Sequence, residues 1–350
     1  MLRSLNPRMQ CDAVHNTPRM ARSLDAGAAW GCGLVLAAAC AVAVADDSAQ
    51  PPARQALSDA WWTGPLLAPN ASTFPAGHAL LETYVFDVMT NSSFDTSGNR
   101  HSYDGGHEVG SLTYLIYGLT DRISVGLLPR FFYDEPAGAP NSSSPGIGDL
   151  GAQVQYGLTS FHPGSLMPAT AVVLGETLPT GRYDRLPQAA DGLGGGVYAT
   201  SFSWYSQDYL WMPNGRILRV RLDLTYAISG SAPVTDTSVY GTSSGFRGRV
   251  WPGDSFTADA AAEYSLTRSW VLATDLVYEH SASTRLAGSP AAGAAPLDLE
   301  SGPSDYVAIA PAVEYSWSAR AGVIFGVRIY VAGRNTSASV TPAAAINLVF

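Results

Sequence analysis

Three groupings of side chains in this 350-residue chain have the types and spacing for chemistry. Glu279-His280-Ser281 sets an acid, a base and a hydroxyl side by side, the ingredients of an activated serine. Neighbouring residues of a strand point to opposite faces, so the three converge only if a strand ends there. His101 and His107, with Asp104 and Glu108, offer nitrogen and oxygen donors, but at a loose spacing that no scaffold fixes. The reading is therefore no metal, no cofactor and no catalytic residue. The third grouping is charge that alternates with apolar residues. Arg219, Arg221 and Asp223 are separated by Val220 and Leu222, and Arg130, Asp149, Gln153, Asp259, Glu263, Asp275 and Arg328 occupy equivalent positions elsewhere. Glu279 and Glu314 share that pattern. Charged side chains lining a pore set which solutes pass; the competing reading is a network of internal salt bridges that fills a narrow barrel.

Strands must hold such an alternation, because side chains change face at every residue. From residue 78 onward, twelve segments of alternating polarity follow one another: 78–89, 107–119, 122–133, 147–158, 168–178, 195–206, 215–228, 254–266, 269–280, 304–316, 319–332 and 337–350. One face is apolar throughout, as in Ala321, Val323, Phe325, Val327, Ile329 and Val331, while the other carries Gly322, Gly326 and Arg328. Lipid outside and water inside make that demand, and a bilayer leaves no unpaired strand edge tolerable. The expected fold is an all-β, antiparallel transmembrane barrel of about 12 strands, of outer-membrane type. Short turns such as Asp121-Arg122 alternate with long polar connections (90–106, 134–146, 179–194, 229–253 and 281–303), matching periplasmic and extracellular ends.

Composition agrees. Charged residues are 14% of the chain, 35 residues are Gly, 17 are Tyr, and every basic residue other than His is Arg. Arg19 and Arg22 precede an apolar run from Ala26 to Ala45 that closes on the small-residue site Ala43-Val44-Ala45. This predicts a signal peptide over residues 1–45, with Met20 a plausible true start. Cys11, Cys32 and Cys40 all lie inside it, so the exported chain is cysteine-free. Without those residues, which hold four Arg and two Asp, the formal net charge is −11, which excludes nucleic acid as a partner. Residues 46–77 are Pro- and Ala-rich and show no period of 2 or 3.6. They read as an irregular periplasmic segment whose adjacent Trp61 and Trp62 plug the barrel or rest at its rim.

Tyr117-Gly-Leu-Thr120, Tyr156-Gly-Leu-Thr159, Tyr264-Ser-Leu-Thr267 and Tyr315-Ser-Trp-Ser318 recur at the short-turn ends, with Trp204-Tyr205-Ser206 in a similar place. Together with the terminal Phe350 they predict an aromatic girdle at one depth. Gly146-Ile-Gly-Asp149 opens a strand rather than a helix, so it is no phosphate loop, and Leu178-Pro-Thr-Gly181 reads as a strand exit and turn.

The residues Tyr117-Gly-Leu-Thr-Asp-Arg-Ile-Ser-Val125, Gly146-Ile-Gly-Asp149, Leu178-Pro-Thr-Gly181 and Trp61-Trp-Thr-Gly-Pro-Leu-Leu67, with the terminal Phe350, resemble an outer-membrane family named for a MetA pathway of phenol degradation. The resemblance implies a bacterial outer-membrane barrel, generically a transporter, sometimes associated with aromatic compounds. It also implies that Phe350 is a signal read by the barrel assembly machinery. The expected function is passage of small, aromatic or hydrophobic solutes, with outer-membrane lipid as the surrounding partner. The alternatives are an outer-membrane hydrolase using His280 and Ser281, and a structural or adhesive barrel whose long loops bind partners.

Overall fold

A computed structural model describes residues 53–290, 293 and 295–350; the expected leader, residues 1–45, lies outside them. Twelve strands form the wall. They are β1 (Ala79–Phe94), β2 (Arg100–Thr120), β3 (Ile123–Leu128, resuming as Arg130–Glu135), β4 (Gly146–Ile147 and Leu150–Thr159), β5 (Ala169–Leu178), β6 (Ala199–Trp211), β7 (Ile217–Ser229), β8 (Ser255–Ser265), β9 (Trp270–Ser281), β10 (Ser304–Ser318), β11 (Ala321–Arg334) and β12 (Thr336–Val349). Each pairs antiparallel with its neighbours in sequence, and β1 pairs with both β2 and β12. The ring is closed, and no strand edge faces lipid.

The alternation sorts the side chains as the strand period requires. Phe325, Phe202 and Val85 stand outward, 60%, 55% and 55% exposed, while Arg328, Ser203 and Phe86 on the same strands are buried inside. Pro129 interrupts β3 because it has no N–H for the ladder, yet its carbonyl still accepts from Thr113 N at 3.1 Å. The turn between β11 and β12 is a single residue, Asn335, at φ 51°. Asn tolerates that left-handed conformation, and its Nδ2 donates to Ser301 O and Pro303 O, which ties the turn to the next loop.

Three expectations change. The loop expected over 90–106 shrinks to the tip 95–99, because backbone ladders continue above the membrane without apolar side chains to signal them. β6 runs on to Trp211, so Tyr205 does not end its strand; it points into the lumen, 6% exposed, and leaves the girdle. Tyr117, Tyr156 and Tyr315 do stand outward at the short-turn end, with Trp270 and Trp317 beside them. The loops 229–253 and 281–303 carry a second, four-stranded sheet: Ala232–Thr235, Arg247–Trp251, Arg285–Ser289 and Leu297–Glu300. It has its own core of Val234, Tyr240, Phe246, Val250 and Leu286.

Candidate functional site

The lumen has two unlike walls. On β1, β2 and β3 the inward positions are Tyr84, Phe86, Leu112, Leu128 and Phe132, which pack as one cluster. Phe86 meets Phe132 edge-on at 6.2 Å between ring centroids, and Tyr84 meets Tyr114 at 6.0 Å, arrangements that aromatic quadrupoles favour. On β7 to β11 the inward charged positions are Arg219, Arg221, Asp223, Asp259, Glu263, Asp275, Glu314 and Arg328, all buried, and among them Ala273, Ala310, Ala312 and Ile324 extend the apolar cluster onto β9 to β11.

Part of the charge on that second wall is locally paired. Arg219 and Glu263 are direct cross-strand partners, and Arg219 Nε donates to Glu263 Oε2 at 2.6 Å while Nη2 meets Oε1. Arg221 Nε lies 3.2 Å from the same carboxylate. Glu263 is fully buried, so it needs both guanidinium groups. Arg328 lies 5.1 Å above the ring of Tyr330, which stacks on Tyr306 at 4.2 Å, and Tyr306 OH donates to Glu279 at 2.9 Å. Asp223 and Asp259 are also cross-strand partners, and among the described residues neither forms a salt bridge with an arginine.

The remaining acids hold the chain that precedes the barrel. Residues 53–77 run through the lumen from the short-turn end. Thr63 N and Gly64 N donate to Glu314 Oε2 at 2.6 and 3.0 Å. Leu66 N, Leu67 N and Ala68 N converge on the Asp275 carboxylate at 3.0–3.3 Å. Arg221 Nη1 donates to Ala68 O at 2.7 Å, and Gln155 Nε2 donates to Asn70 O at 3.0 Å. Trp62 lies under Arg219, whose guanidinium carbon is 4.5 Å from the ring centroid, and Trp61 lies against Arg268 at 4.8 Å. Leu66 packs into the apolar cluster, which Ala310, Ala312 and Ile324 carry across to β10 and β11, and its side chain lies against Gly326. A Leu-Leu-Ala run with three free amides is polar along its backbone and apolar at its side chains, which suits a space between a charged wall and a greasy one.

A second insertion comes from the long-loop end. Leu193, in the loop after β5, packs into the same cluster as Leu66. Asp149 sits in the gap of β4 and holds this loop: its oxygens accept from Gly181 N at 3.0 Å and Gly195 N at 2.7 Å. Thr180 Oγ1 donates to Gly148 O at 2.9 Å, and Leu150 N donates to Thr180 Oγ1 at 3.0 Å. The Gly-Ile-Gly-Asp and Leu-Pro-Thr-Gly stretches are thus the two halves of one clamp. At Gly194 a Cβ would lie 2.5 Å from the Asp149 carboxylate and 2.7 Å from Gly181 O, so the close approach requires glycine. Gln153 faces the lumen below this clamp, its side chain against Gly126. Arg130 is on the inward face of β3, its carbonyl accepting from Gly148 N at 2.9 Å.

The other groupings do not assemble. Glu279 turns inward to Tyr306, away from His280 and Ser281. His101 pairs with Asp95 and His107 with Asp87, each at 3.0 Å, and among the described residues no three metal-ligating side chains gather. Phe350 stands outward at the short-turn end, its N–H donating to Ala79 O at 2.9 Å. Sequence reasoning missed Leu193, Phe86 and Phe132; for Phe132 the signal was there, since it shares its strand face with Arg130.

No curated protein matches the chain. Among solved structures, an outer membrane channel from Pseudomonas putida F1 superposes with a TM-score of 0.60 at 15% identity, over 81% of this chain and 100% of that one. The toluene transporter TodX of Pseudomonas putida gives 0.33 at 13% identity, over 83% and 95%, and the β domain of the Bordetella autotransporter BrkA gives 0.40 at 12%, over 79% and 100%. Only the first is close enough to carry the fold, and it is an outer-membrane channel barrel. The family described as "Putative MetA-pathway of phenol degradation" matches residues 86–341, most of the wall and both of its lumen faces, and the chain belongs to that family.

Proposed function

We propose that this protein is a non-enzymatic outer-membrane channel for small solutes with an apolar or aromatic body, held closed by two insertions. The observation that carries the reading is that Leu66 and Leu193 belong to one apolar cluster inside the lumen. They arrive from opposite ends of the barrel and complete one cluster with Phe86 and Phe132. An apolar wall favours a solute that sheds its water, while the opposite wall of paired charge anchors the N-terminal segment rather than the solute. In this reading residues 53–77 are the plug. Trp61 and Trp62 seat it at the periplasmic mouth through their arginine contacts, and Arg130, Asp149, Gln153, Asp223, Asp259 and Arg328 line the path beyond it.

The fold of the Pseudomonas channel and the family's association with phenol degradation support this function. Solute flux into proteoliposomes tests it. The chain without residues 53–77 is expected to pass small aromatic solutes well above the full chain. No flux from either form overturns the channel reading; equal flux from both removes the plug from it. Phe350 is assigned the role of assembly signal. Deleting it is expected to lower the amount of folded, membrane-inserted protein with little change in solute choice, and wild-type insertion would count against that role.

A further inference from the structure

The periplasmic rim carries a charge pattern that the channel reading does not use. Arg122, Arg216, Arg268 and Arg320 each lie in a different short turn, in a chain whose formal net charge is −9. Arg122 and Arg320 are fully at the surface and Arg216 is half-buried. Arg268 is engaged by the face of Trp61 and by Asp59 at 3.7 Å. No ion pair with an acid forms at Arg122, Arg216 or Arg320 among the described residues. The neighbouring acid Asp121 is already occupied, accepting from Ala76 N at 3.1 Å.

Each of these arginines lies in a turn that adjoins an outward aromatic residue at the short-turn end. Tyr117 precedes Arg122, Trp317 precedes Arg320, and Trp270 follows Arg268 and packs on Tyr315 at 4.7 Å. Asn214, beside Arg216, donates to Tyr264 OH at 2.7 Å, which fixes the turn against its girdle residue. Rings of this kind mark the boundary between hydrocarbon and headgroups. Unpaired arginines one turn further out therefore lie at phosphate depth, where a planar, multidentate donor suits phosphate oxygens.

We propose that this rim is a binding site for the phosphate groups of anionic phospholipids in the inner leaflet, of the phosphatidylglycerol class. The site is independent of the pathway through the lumen: its arginines hold the barrel's lower edge at the headgroup plane, and the belt aromatics take up the glycerol region above them. Each free arginine near an anionic surface contributes about fivefold in affinity, and the contribution is screened as salt rises.

The test uses the full chain reconstituted in phosphatidylcholine vesicles that contain either brominated phosphatidylglycerol or brominated phosphatidylcholine. Bromine quenches the fluorescence of the belt tryptophans. Stronger quenching by the anionic lipid is expected at low salt and is expected to fade at high salt. The R122Q/R216Q/R320Q variant, whose substitutions lie outside the wall and the lumen, is expected to lose that preference while keeping the heat-sensitive gel mobility of a folded barrel. Equal quenching by the two lipids in the unmodified protein overturns the proposal, as does a preference that survives the triple variant. Should the variant fail to fold, the salt dependence of the unmodified protein decides alone, since a preference insensitive to salt is not electrostatic. Binding to purified peptidoglycan without any lipid preference would assign the ring to the cell-wall polymer, and would equally overturn it.

Discussion

The lumen's two walls reach the same burial by opposite means. On β1 to β3, Tyr84, Phe86, Leu112 and Phe132 fill space with carbon, and their partners are interchangeable in kind. On β7 to β11 three buried acids each depend on particular neighbours: Glu263 on Arg219 and Arg221, Glu314 on the amides of Thr63 and Gly64, Asp275 on three successive amides. An apolar wall tolerates rearrangement, because hydrophobic contact is non-directional. A wall of buried charge does not, because each group left without its partner bears its full desolvation cost. Residues 53–77, the proposed plug, touch both, so the segment is specified by the charged groups and lubricated by the apolar ones.

The largest expected effect breaks the charged wall at its centre. Glu263→Ala strands Arg219 and Arg221 and is expected to cost about 3–5 kcal/mol of stability, read from the denaturant midpoint of the unheated, folded gel band. A loss under about 1 kcal/mol, the range of exposed ion pairs, would mean that this wall is wet and that the contrast between the walls is false. Leu66→Ala probes the other wall. It is expected to cost about 2–3 kcal/mol, felt by the seat of the plug, so that solute flux rises while the barrel's resistance to denaturant stays near that of the parent. If the barrel weakens as much as with Glu263→Ala, the apolar cluster belongs to the wall's stability and not to closure.

The smallest effect lies outside both walls, at the tip of the β1–β2 hairpin, and calibrates what an exposed charge contributes. A hydrogen bond from His101, then those from Asn99, hold the Asp95 carboxyl below the usual carboxylate range. A depressed carboxyl stabilises its surroundings above its unfolded value of about 3.9, and that contribution fades as pH falls through it. Amide exchange at Ser97 and Asn99, corrected for intrinsic rates, is therefore expected to accelerate below about pH 4 and to be flat from there to neutral pH. Unchanged protection at pH 3 would detach the carboxylate from the order of this tip.

Much of this molecule is legible in its residues. The twelve strands follow from alternation, and Arg219, Arg221, Asp223, Glu263 and Asp275 declare the inner face because charge has only one tolerable side of such a wall. The apolar wall is less visible. On β1 the outward Val85 and the inward Phe86 are both apolar, so polarity does not distinguish the faces; only the register inherited from neighbouring strands does. Tyr205 misled for a related reason: a Tyr near a strand's end suits a girdle, but one residue of phase decides which face receives it. The clamp at Asp149 and the path of residues 53–77 depend on contacts between segments far apart in sequence, and no local period encodes those.

The anchors of residues 53–77 have a further consequence. Gly64 reaches Glu314 across 250 residues of chain, and Ala68 reaches Asp275 across 207. The segment that enters first in the chain thus finds its receptors on β9 and β10, near the end. A partly built wall offers it no seat. On the proposed function, closure is a report on completion: the passage would be shut by the same late strands that finish the ring, so an unfinished barrel would have no means of being a sealed one.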